Sequence, residues 1–568
     1  MMTPTLTPTP KARHLQKLAL SALIASTSIS AAWAADATDA AAVLKLERDQ
    51  IERALQERRL QQGAVTPQID VLPAPAQPVA SQVANIFLKR FEVGVSEILT
   101  AEEIRALLQP YEGRMVSLSE LFDAVDGINA LYVAMRMPTA RAFLAPQEIK
   151  DGVVLVQLVE ARVGAITLTG QQRLKSAFVN ERLALKGGDL MSVPGLEQDL
   201  IRFNRLHGTQ LRASVKPGAD FGTTDVLLTA VEPPQFQNSL FVDNAGRYTV
   251  GEQRLGVMSR VNGLLGLDDE LALSATGASG SESYYLGYAW PLNARDLMAD
   301  VSLSKGSIDV VEGAFVPLDI SGASQEISVG LSQPLLVDSE RLWKVYGRLA
   351  NKKSTSYFGG AAQQDVTVNV LTLGVSGLQQ SQEGAWSLDV NLNHGSQNTA
   401  GQGDFLVLRA NGVWLRNIGN RNQVVIRGGL QYSGEDLLPS SEQFQLGGSN
   451  SVRGYSEGLL SGREGYLLSA EFRHDIALPA SFAASASGAT RASVLAFLDH
   501  GGAFPFRPVG QEQTTSDDYL TSVGAGLQLD WGSRATLRLV LGFPQTTNSN
   551  EIKRQNPRLH AAFTVNWP

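Results

Sequence analysis

The stretch Leu559-His560-Ala561-Ala562-Phe563-Thr564-Val565-Asn566-Trp567 alternates between two kinds of side chain. Every second side chain, from the first leucine to the tryptophan, is apolar, whereas His560, Thr564 and Asn566 between them are polar. Such alternation predicts a β-strand with one apolar and one polar face, because successive side chains point to opposite faces. Strands of a soluble sandwich show the same pattern, so one segment does not identify the fold.

The same alternation of apolar and polar residues recurs from Gln235 to the end of the chain, and the number of such segments is informative. We count sixteen strand-like segments, centred near residues 240, 257, 273, 286, 302, 329, 345, 370, 388, 409, 426, 469, 496, 526, 539 and 563. With their connecting loops these segments occupy 568 − 234 = 334 residues. A bilayer-crossing strand needs only ~9–11 residues, so the remainder is available for turns and loops. The sequence therefore predicts a membrane all-β barrel of 16 antiparallel strands over 235–568, with a lumen wide enough for a helix or an extended polypeptide.

The composition excludes several other classes of protein. The chain has 568 residues, of which 18% are charged and 53 are Gly, and its formal net charge is −8. Cysteine is absent, which excludes disulfides, thiolate nucleophiles and cysteine-type zinc sites. The mild acidity disfavours nucleic acid as a partner. Beyond the N-terminus no run of 18 apolar residues occurs, so we expect no membrane-spanning helix.

The N-terminus resembles an export signal. Lys11, Arg13 and Lys17 precede a short apolar stretch that ends at Ala32-Trp33-Ala34. A basic region, a short apolar core and an A-x-A site are typical of a secretory signal peptide, here residues 1–34. The alternative, an uncleaved anchor helix, is disfavoured because serines and a threonine interrupt the apolar core.

Residues 35–62 predict a polar N-terminal helix, from about Thr38 to Gln62. Its apolar stripe is narrow, and Asp49 and Arg53 stand at i,i+4, where they support a helix weakly. Two interpretations remain: a solvated helix, or a helix inside a water-filled cavity. Residues 63–83 follow as a linker, in which four prolines predict a stiff, extended chain.

Two units of about 75 residues then share the order β-α-α-β-β. In the first, residues 84–162, Thr100 with Glu103 and Ser117 with Glu120 form capping boxes that begin two helices. In the second, residues 163–234, we expect helices at 174–185 and 192–206 between strands. An internal repeat of two α+β domains therefore precedes the barrel.

The longest irregular hairpin, about 434–465, carries two candidate motifs. Gly454-Tyr455-Ser456-Glu457-Gly458 matches the G-x-S-x-G of esterases, but that motif requires a strand before it and a helix after it. Gly, Asn and Ser surround it here, so we expect no enzyme and no metal or other cofactor.

Arg453 at the tip of this loop is the second candidate. A guanidinium inside a barrel requires a carboxylate, because an unpaired buried charge is costly. Asp499, in Phe497-Leu498-Asp499-His500-Gly501 on the thirteenth predicted strand, could supply a bidentate partner. The alternative is that both side chains are ordinary lumen-facing polar groups in water.

These residues resemble a known family. Val452-Arg453-Gly454-Tyr455 with Phe497-x-Asp499-x-Gly501 is similar to the signature pair of the BamA-like outer-membrane superfamily. Residues 138–147, followed by Asp151-Gly152 and Gly170, resemble the first POTRA domain of two-partner secretion transporters. Those are the TpsB proteins of the haemolysin-secretion and filamentous-haemagglutinin-secretion type, and the resemblance covers essentially the whole mature chain.

The resemblance implies a function, a location and partners. Such a transporter exports one large partner exoprotein, adhesin-like or haemolysin-like, through a porin-like pore in the outer membrane without ATP. Its two POTRA domains stand in the periplasm and capture the partner's N-terminal secretion domain, by addition of a strand to an exposed sheet edge. Outer-membrane lipid, periplasmic chaperones and the barrel-assembly machinery are the other implied partners.

The resemblance also assigns roles to residues. Arg453 would anchor the long loop to Asp499 on the barrel wall, and Gly454 would permit the tight tip. The helix in 35–62 would plug the resting pore. The family commonly ends on an aromatic residue for barrel assembly, whereas Trp567 is penultimate here and Pro568 is last.

Two other classes of outer-membrane protein fit the sequence less well. An outer-membrane protein assembly factor of the same superfamily is the alternative function, but it would usually carry more than two POTRA modules. A TonB-type receptor would need 22 strands and a plug of over a hundred residues, which 534 mature residues cannot hold beside the repeats.

Overall fold

The computed structural model describes residues 39–61, 66–71, 85–398, 403–478, 484–485, 488–551 and 556–568. The predicted signal peptide lies outside them. Helix α1 spans Ala40–Gln61, within two residues of the prediction, and the amide of Ala41 donates to Asp39 at its start (2.8 Å). Among the described residues, no helix is both long enough and apolar enough to cross a membrane.

The predicted linker contains a short strand. Strand β1, Ile69–Val71, pairs in parallel with residues 213–215 of the second repeat, as the fourth strand of its sheet. The proline-rich sequence around it did not reveal this strand, because its hydrogen-bonding partner lies more than 140 residues away in the sequence (213 − 69 = 144).

The first repeat has the predicted elements, with its first strand divided in two and an additional strand, β4, between its two helices. Its elements are β2 (Asn85–Leu88), β3 (Arg90–Val93), α2 (Ala101–Leu108), β4 (Arg114–Ser117), α3 (Leu118–Ala134), β5 (Ala140–Phe143) and β6 (Val153–Glu160). Both predicted capping boxes are present, at Thr100 and at Ser117. The division follows from pairing, since β2 pairs with β4 whereas β3 pairs with β6.

The second repeat corrects one predicted helix. Its elements are β7 (Arg162–Thr169), α4 (Ser176–Asn180), α5 (Val193–Leu206), β8 (Gln210–Pro217) and β9 (Thr223–Val231). The helix expected over 174–185 is therefore only five residues long. The amides of Ala184 and Leu185 donate to the carboxylate of Asp199 (2.8 and 3.2 Å), so this side chain holds them in a non-helical loop.

Residues 236–567 close into an antiparallel barrel, and the predicted fold class is confirmed. Each of the sixteen predicted centres falls within one strand. The sixteen strands are β10 (Phe236–Asp243), β11 (Arg254–Asn262), β12 (Glu270–Ala278), β13 (Ser281–Pro291), β14 (Met298–Asp309), β15 (Ile320–Val337), β16 (Arg341–Phe358), β17 (Ala361–Gln380), β18 (Gly384–Gln397), β19 (Phe405–Ile418), β20 (Asn422–Ser433), β23 (Glu464–Ile476), β25 (Gly488–Phe504), β26 (Tyr519–Trp531), β27 (Ala535–Pro544) and β28 (Arg558–Trp567).

The barrel closes between its first and last strands. Strand β10 pairs with β28, from Asn238 opposite Trp567 to Asp243 opposite Ala562. Three additional short strands, β21 (Phe444–Leu446), β22 (Leu460–Gly462) and β24 (Ala484–Ser485), lie between barrel strands in the sequence. Strands β15 to β17 have 18, 18 and 20 residues, against 8 in β10, so one wall is much taller than the seam.

The second repeat sits against the turns at one end of the barrel, and a histidine is central to this junction. The ring of His207 is buried between Asp268 (Nδ1 to Oδ2, 3.4 Å) and Asp296 (Nε2 to Oδ1, 3.2 Å), which lie in two different turns. Arg182 and Arg202 of the second repeat also bind Asp296, at 2.7 and 3.1 Å. Burial opposes protonation of His207, but the two aspartates outweigh it and raise its pKa.

We predict that this junction weakens as the pH rises. Because the folded pKa of His207 lies above its unfolded value, its stabilising contribution is complete below pH ~6.5 and is lost as the pH passes the raised value. Hydrogen exchange of the turns at 262–270 and 291–298 should therefore accelerate between pH 6 and 8.5, after correction for intrinsic rates.

His207→Gln should remove most of this pH dependence, whereas His394→Gln, on the barrel surface, should keep it. A wild-type profile that is flat with pH would contradict the assignment.

Candidate functional site

The long loop between β20 and β23 folds back into the barrel lumen and forms a small apolar core there. Its hairpin pairs β21 with β22, Phe444 opposite Gly462. The buried members of this core come from the loop and from the barrel wall: Phe444, Leu446, Val452, Tyr455, Leu460, Leu467, Ala503 and Leu520. The loop therefore packs in a single defined position, and its tip is held against the barrel wall.

The structure brings Arg453 and Asp499 together. The guanidinium binds the carboxylate in a bidentate way, with Nε to Oδ2 at 2.7 Å and Nη2 to Oδ1 at 2.8 Å, and the backbone amide of Arg453 also donates to Oδ2 (3.1 Å). One face of the guanidinium group stacks on the ring of Phe497, with Cζ of Arg453 3.6 Å from the ring centroid. Both charged side chains are fully buried, at 3% and 0% exposure, so the pair is shielded from water.

The glycines of both motifs allow the close approach of loop and wall. Gly454 has φ +97°, and a Cβ there would lie 3.1 Å from the carbonyl carbon of Gly542. A Cβ on Gly501 would lie 2.9 Å from Cδ1 of the loop residue Leu446. A side chain at Gly454 or Gly501 would therefore push the tip away from the wall.

The remaining motif residues also fasten the tip. The hydroxyl of Tyr455 donates to backbone carbonyls of Thr521 (2.9 Å) or Thr546 (2.8 Å), and Val452 is completely buried. The amide of Gly454 donates to Nε2 of His560 (2.9 Å).

Sequence reasoning missed a second carboxylate at this site. Glu471 on β23 is buried and contacts Arg453 directly, and Arg427 and Arg538 lie 3.7 and 3.6 Å away. The signal was present in the alternation of residues 466–473, which puts Glu471 on the polar, lumen-facing side. What alternation did not indicate is which of several lumen arginines the carboxylate would bind.

The helix α1 lies inside the barrel and contacts the wall and the loop. Arg48 binds Glu326 of β15 through both carboxylate oxygens (2.8 Å each). Three contacts join the helix to the loop: Gln50 to Glu457 (3.1 Å), Arg53 to the carbonyl of Asn450 (2.7 Å), and Gln445 to the carbonyl of Ala42 (3.0 Å).

The helix carries its own charges into this buried setting. Asp49 pairs with Lys45 at i−4 (2.5 Å). Burial alone would raise the pKa of Asp49, but the cations Lys45, Arg48 and Arg53 lower it to about 2. Asp49 is therefore ionised in the lumen.

Two loop carboxylates respond to burial in opposite ways. Burial raises the pKa of Glu457 to about 7, and the amide of Ser449 and nearby arginines only partly oppose this rise. Glu442 is equally buried, but Lys352 (2.7 Å) and Arg409 (2.8 Å) hold its pKa well below the usual range. Glu442 thus fixes the base of the loop to two barrel strands as a charged group.

The G-x-S-x-G segment lies in this loop without the context of an esterase elbow. Strand β22, not a helix, follows it. The hydroxyl of Ser456 binds Glu551, and Arg558 approaches it at 3.3 Å. Among the described residues, no cluster of His, Cys, Asp and Glu could hold a metal ion.

Comparisons with known proteins agree with this arrangement. Residues 222–529 match the sequence profile of the haemolysin secretion/activation protein ShlB/FhaC/HecB family, and residues 86–161 match the POTRA domain, ShlB-type. The chain is 24% identical over 434 residues to the outer membrane transporter CdiB of Dickeya dadantii, covering 72% of this chain and 76% of that protein.

A second relative and a solved structure extend the similarity. The haem/haemopexin transporter protein HuxB of Haemophilus influenzae is 24% identical over 501 residues, covering 81% of this chain and 83% of that protein. The structure of CdiB from Escherichia coli superposes with a TM-score of 0.64 at 19% identity, over 93% of this chain and 98% of the other.

We predict that Arg453 and Asp499 act on the loop as one unit. Removing one partner of a buried pair leaves an uncompensated charge and costs about 3–5 kcal/mol. Arg453→Ala and Asp499→Ala should each expose residues 434–463 to added protease in the intact barrel, and the double variant should be no more sensitive than the worse single variant.

Arg463→Ala is the matched control, because its ion pair with Asp436 (3.0 Å) is in the same loop but exposed. It should leave cleavage unchanged. Additive effects of the two main substitutions would refute the coupling.

Proposed function

This chain belongs to the haemolysin secretion/activation protein ShlB/FhaC/HecB family, and we propose from this premise that its barrel exports one large partner exoprotein, adhesin-like or haemolysin-like, without ATP. As a member, it is an outer-membrane transporter of two-partner secretion, with its POTRA domains in the periplasm and a secreted protein as its partner. The observation that carries the proposal is a sixteen-strand lumen that, among the described residues, is filled by α1 and one loop.

The contacts of α1 support its role as a removable plug. Several of them are ion pairs and hydrogen bonds to groups that water could equally satisfy, such as Arg48 with Glu326 and Arg53 with a carbonyl. Ala40, Val43 and Leu60 add apolar contacts with the barrel. An exchange of such bonds for bonds to water has a small net free energy. We infer that the helix seals the resting pore and leaves it when a partner enters.

The loop would be the second gate. Its tip is held by the buried Arg453–Asp499 pair on β25, whereas its base is held at Glu442 by β16 and β19. A polypeptide in transit needs the volume that the loop occupies. The pair therefore either holds the loop aside in a fixed position or opens during transport, and both possibilities make it necessary for secretion.

The first POTRA domain offers the partner an open sheet. Strand β5 is an edge strand, since β6 is its only strand partner in the described residues. On an exposed face, Phe87 of β2 and Met115 of β4 stand opposite each other in register, at 55% and 56% exposure. An edge strand with unpaired backbone groups suits an extended segment of the secretion domain, and the exposed apolar pair on the separate β2–β4 sheet offers a second contact.

The second repeat has its equivalent edge covered. There β1 of the linker already pairs with β8. We propose that a partner strand which adds at β8 must first displace β1.

Co-expression tests the proposed export directly. The reading frame next to this gene should encode a large protein with an N-terminal secretion domain, and its product should reach the cell surface only when this chain is present. Purified full-length chain in liposomes should translocate the unfolded partner without nucleotide. Failure of surface delivery with a folded barrel in the membrane would refute the proposed partner, and a requirement for nucleotide would refute the energy source.

We predict that weakening the contacts between α1 and the barrel wall opens the pore. Arg48→Gln removes a bidentate ion pair inside the lumen, so open events in planar bilayers should become more frequent, and deletion of residues 38–62 should give the upper limit of conductance. Arg416→Gln, which removes an exposed ion pair to Glu383, should behave as wild type. Unchanged conductance in the deletion would refute the plug.

We also predict that β1 competes with the partner. Asp70→Pro removes an amide from the middle of β1 and should weaken its pairing with β8, so the partner's secretion domain should bind the full-length chain several-fold more tightly in calorimetry. Asp70→Asn keeps the amide and is the control. Equal affinities of the proline variant and wild type would contradict competition.

A further inference from the structure

The lipid-facing surface of the barrel differs at its two ends. Six of the seven tryptophans of the chain lie in barrel strands, each within four residues of the end that faces the second repeat: Trp290, Trp343, Trp386, Trp414, Trp531 and Trp567. That end is periplasmic, so the tryptophans form an aromatic girdle at the inner interface.

The opposite end carries a row of polar and cationic side chains on four adjacent strands. Register places Lys305 opposite Gln325, Gln325 opposite Lys353, and Lys353 opposite Thr367. Antiparallel partners share a face, and both lysines are exposed. The row therefore points outward from strands β14 to β17 and places two ammonium groups about 10 Å apart, two strand spacings.

The height of this row matches the outer boundary of the membrane. On β16, Lys353 follows Trp343 by ten residues (353 − 343), which is about 34 Å along the strand and about 26 Å along the barrel axis at a tilt of ~40°. The apolar band of such barrels is about 25 Å tall. Toward the membrane centre the exposed side chains of β14 and β15 are aliphatic, including Leu303 and Ile327, whereas on β16 and β17 they become aliphatic at Leu349 and Leu371, below Asn351 and Asn369.

The two lysines are not neutralised by the protein. Among the described residues, neither ammonium group forms an ion pair or hydrogen bond. By register, the nearest outward-facing carboxylates are Glu282 and Asp365. Each lies one outward-facing position further from the membrane centre than the row, with Glu282 opposite Ser307 and Asp365 opposite Thr355. Two unpaired cations at a lipid boundary attract anionic groups of the lipid.

An apolar depression lies directly beneath Lys305 on the same surface. It is lined by Val257, Leu273, Tyr284, Leu286, Leu303 and Lys305. By register these side chains all belong to the outward face of strands β11 to β14. A groove of this composition that ends at a cation fits an acyl chain whose headgroup is anionic.

We propose that Lys305 and Lys353, with Gln325 between them, bind a phosphate group of a phosphorylated outer-leaflet lipid, and that the depression beneath Lys305 receives one of its acyl chains. The site goes beyond export and does not depend on the partner. Phosphate is the anion that suits this place, since lysine binds it as a point charge without a fixed planar geometry. The tall wall of the barrel would thereby be fixed at one height in the outer leaflet.

Native mass spectrometry of the full-length chain in detergent tests the site. Bound diphosphoryl lipid A should be retained by the wild type and by Lys305→Arg/Lys353→Arg, and retention should fall about tenfold in Lys305→Gln/Lys353→Gln. Lys89→Gln/Lys216→Gln removes the same charge from exposed positions outside the barrel and should retain lipid as wild type. Heat-modifiable migration on gels reports that each variant has a folded barrel.

Two further arms identify the ligand. Lipid A without phosphates should bind about as weakly as the diphosphoryl lipid binds the glutamine variant, and inorganic phosphate at millimolar concentration should not displace the diphosphoryl lipid. Equal retention of both lipids, or equal retention by wild type and the glutamine variant, would overturn the proposal. Displacement by inorganic phosphate would assign the lysines to the free anion instead and would equally overturn it.

Discussion

The interior of this barrel depends on one buried ion pair, Arg453 with Asp499. A guanidinium with 3% exposure cannot exist inside a protein without carboxylates, because the loss of hydration is far larger than any apolar gain. Glu471 provides a second carboxylate to the same cation, so charge and hydrogen bonds both specify a single site on the wall. The position of the loop follows from this site, and the position of α1 follows in turn, since three of its contacts are with the loop.

This hierarchy explains how a lumen can be both sealed and able to open. The small core around Leu446 and Leu460 gives the loop a defined shape, whereas α1 combines polar contacts with small apolar contacts at Ala40, Val43 and Leu60. Apolar burial resists separation roughly in proportion to area, but polar contacts can be exchanged for water at little net cost. Buried carboxylates mark the border between the loop and the helix: Glu442 remains charged at the base of the loop, and Glu457, beside Gln50, has a raised pKa.

Local patterns in the sequence predicted the elements well, and pairing between distant residues was the limit. The sixteen strands were countable because membrane strands alternate over their whole length, and the capping boxes at Thr100 and Ser117 are local signals. The helix over 174–185 failed because Asp199, from another helix, takes the amides that would continue it. Strand β1 was missed because its pairing partner, β8, is also distant in the sequence. At the site, Arg453 and Asp499 were identifiable from a charge argument and a family resemblance, whereas Glu471 and Glu442 were not, since many lumen cations could have been their partners.

The strand β1 also limits how far α1 can travel. Only seven residues separate Gln61 from Ile69, a tether of about 28 Å at full extension, while the helix itself is about 33 Å long. As long as β1 stays on its sheet, a helix that has left the lumen remains within a short radius of the barrel mouth. Its return is then an intramolecular reaction with an effective concentration in the millimolar range. The helix would therefore stay tethered to the barrel, so resealing after each passage would need no second protein.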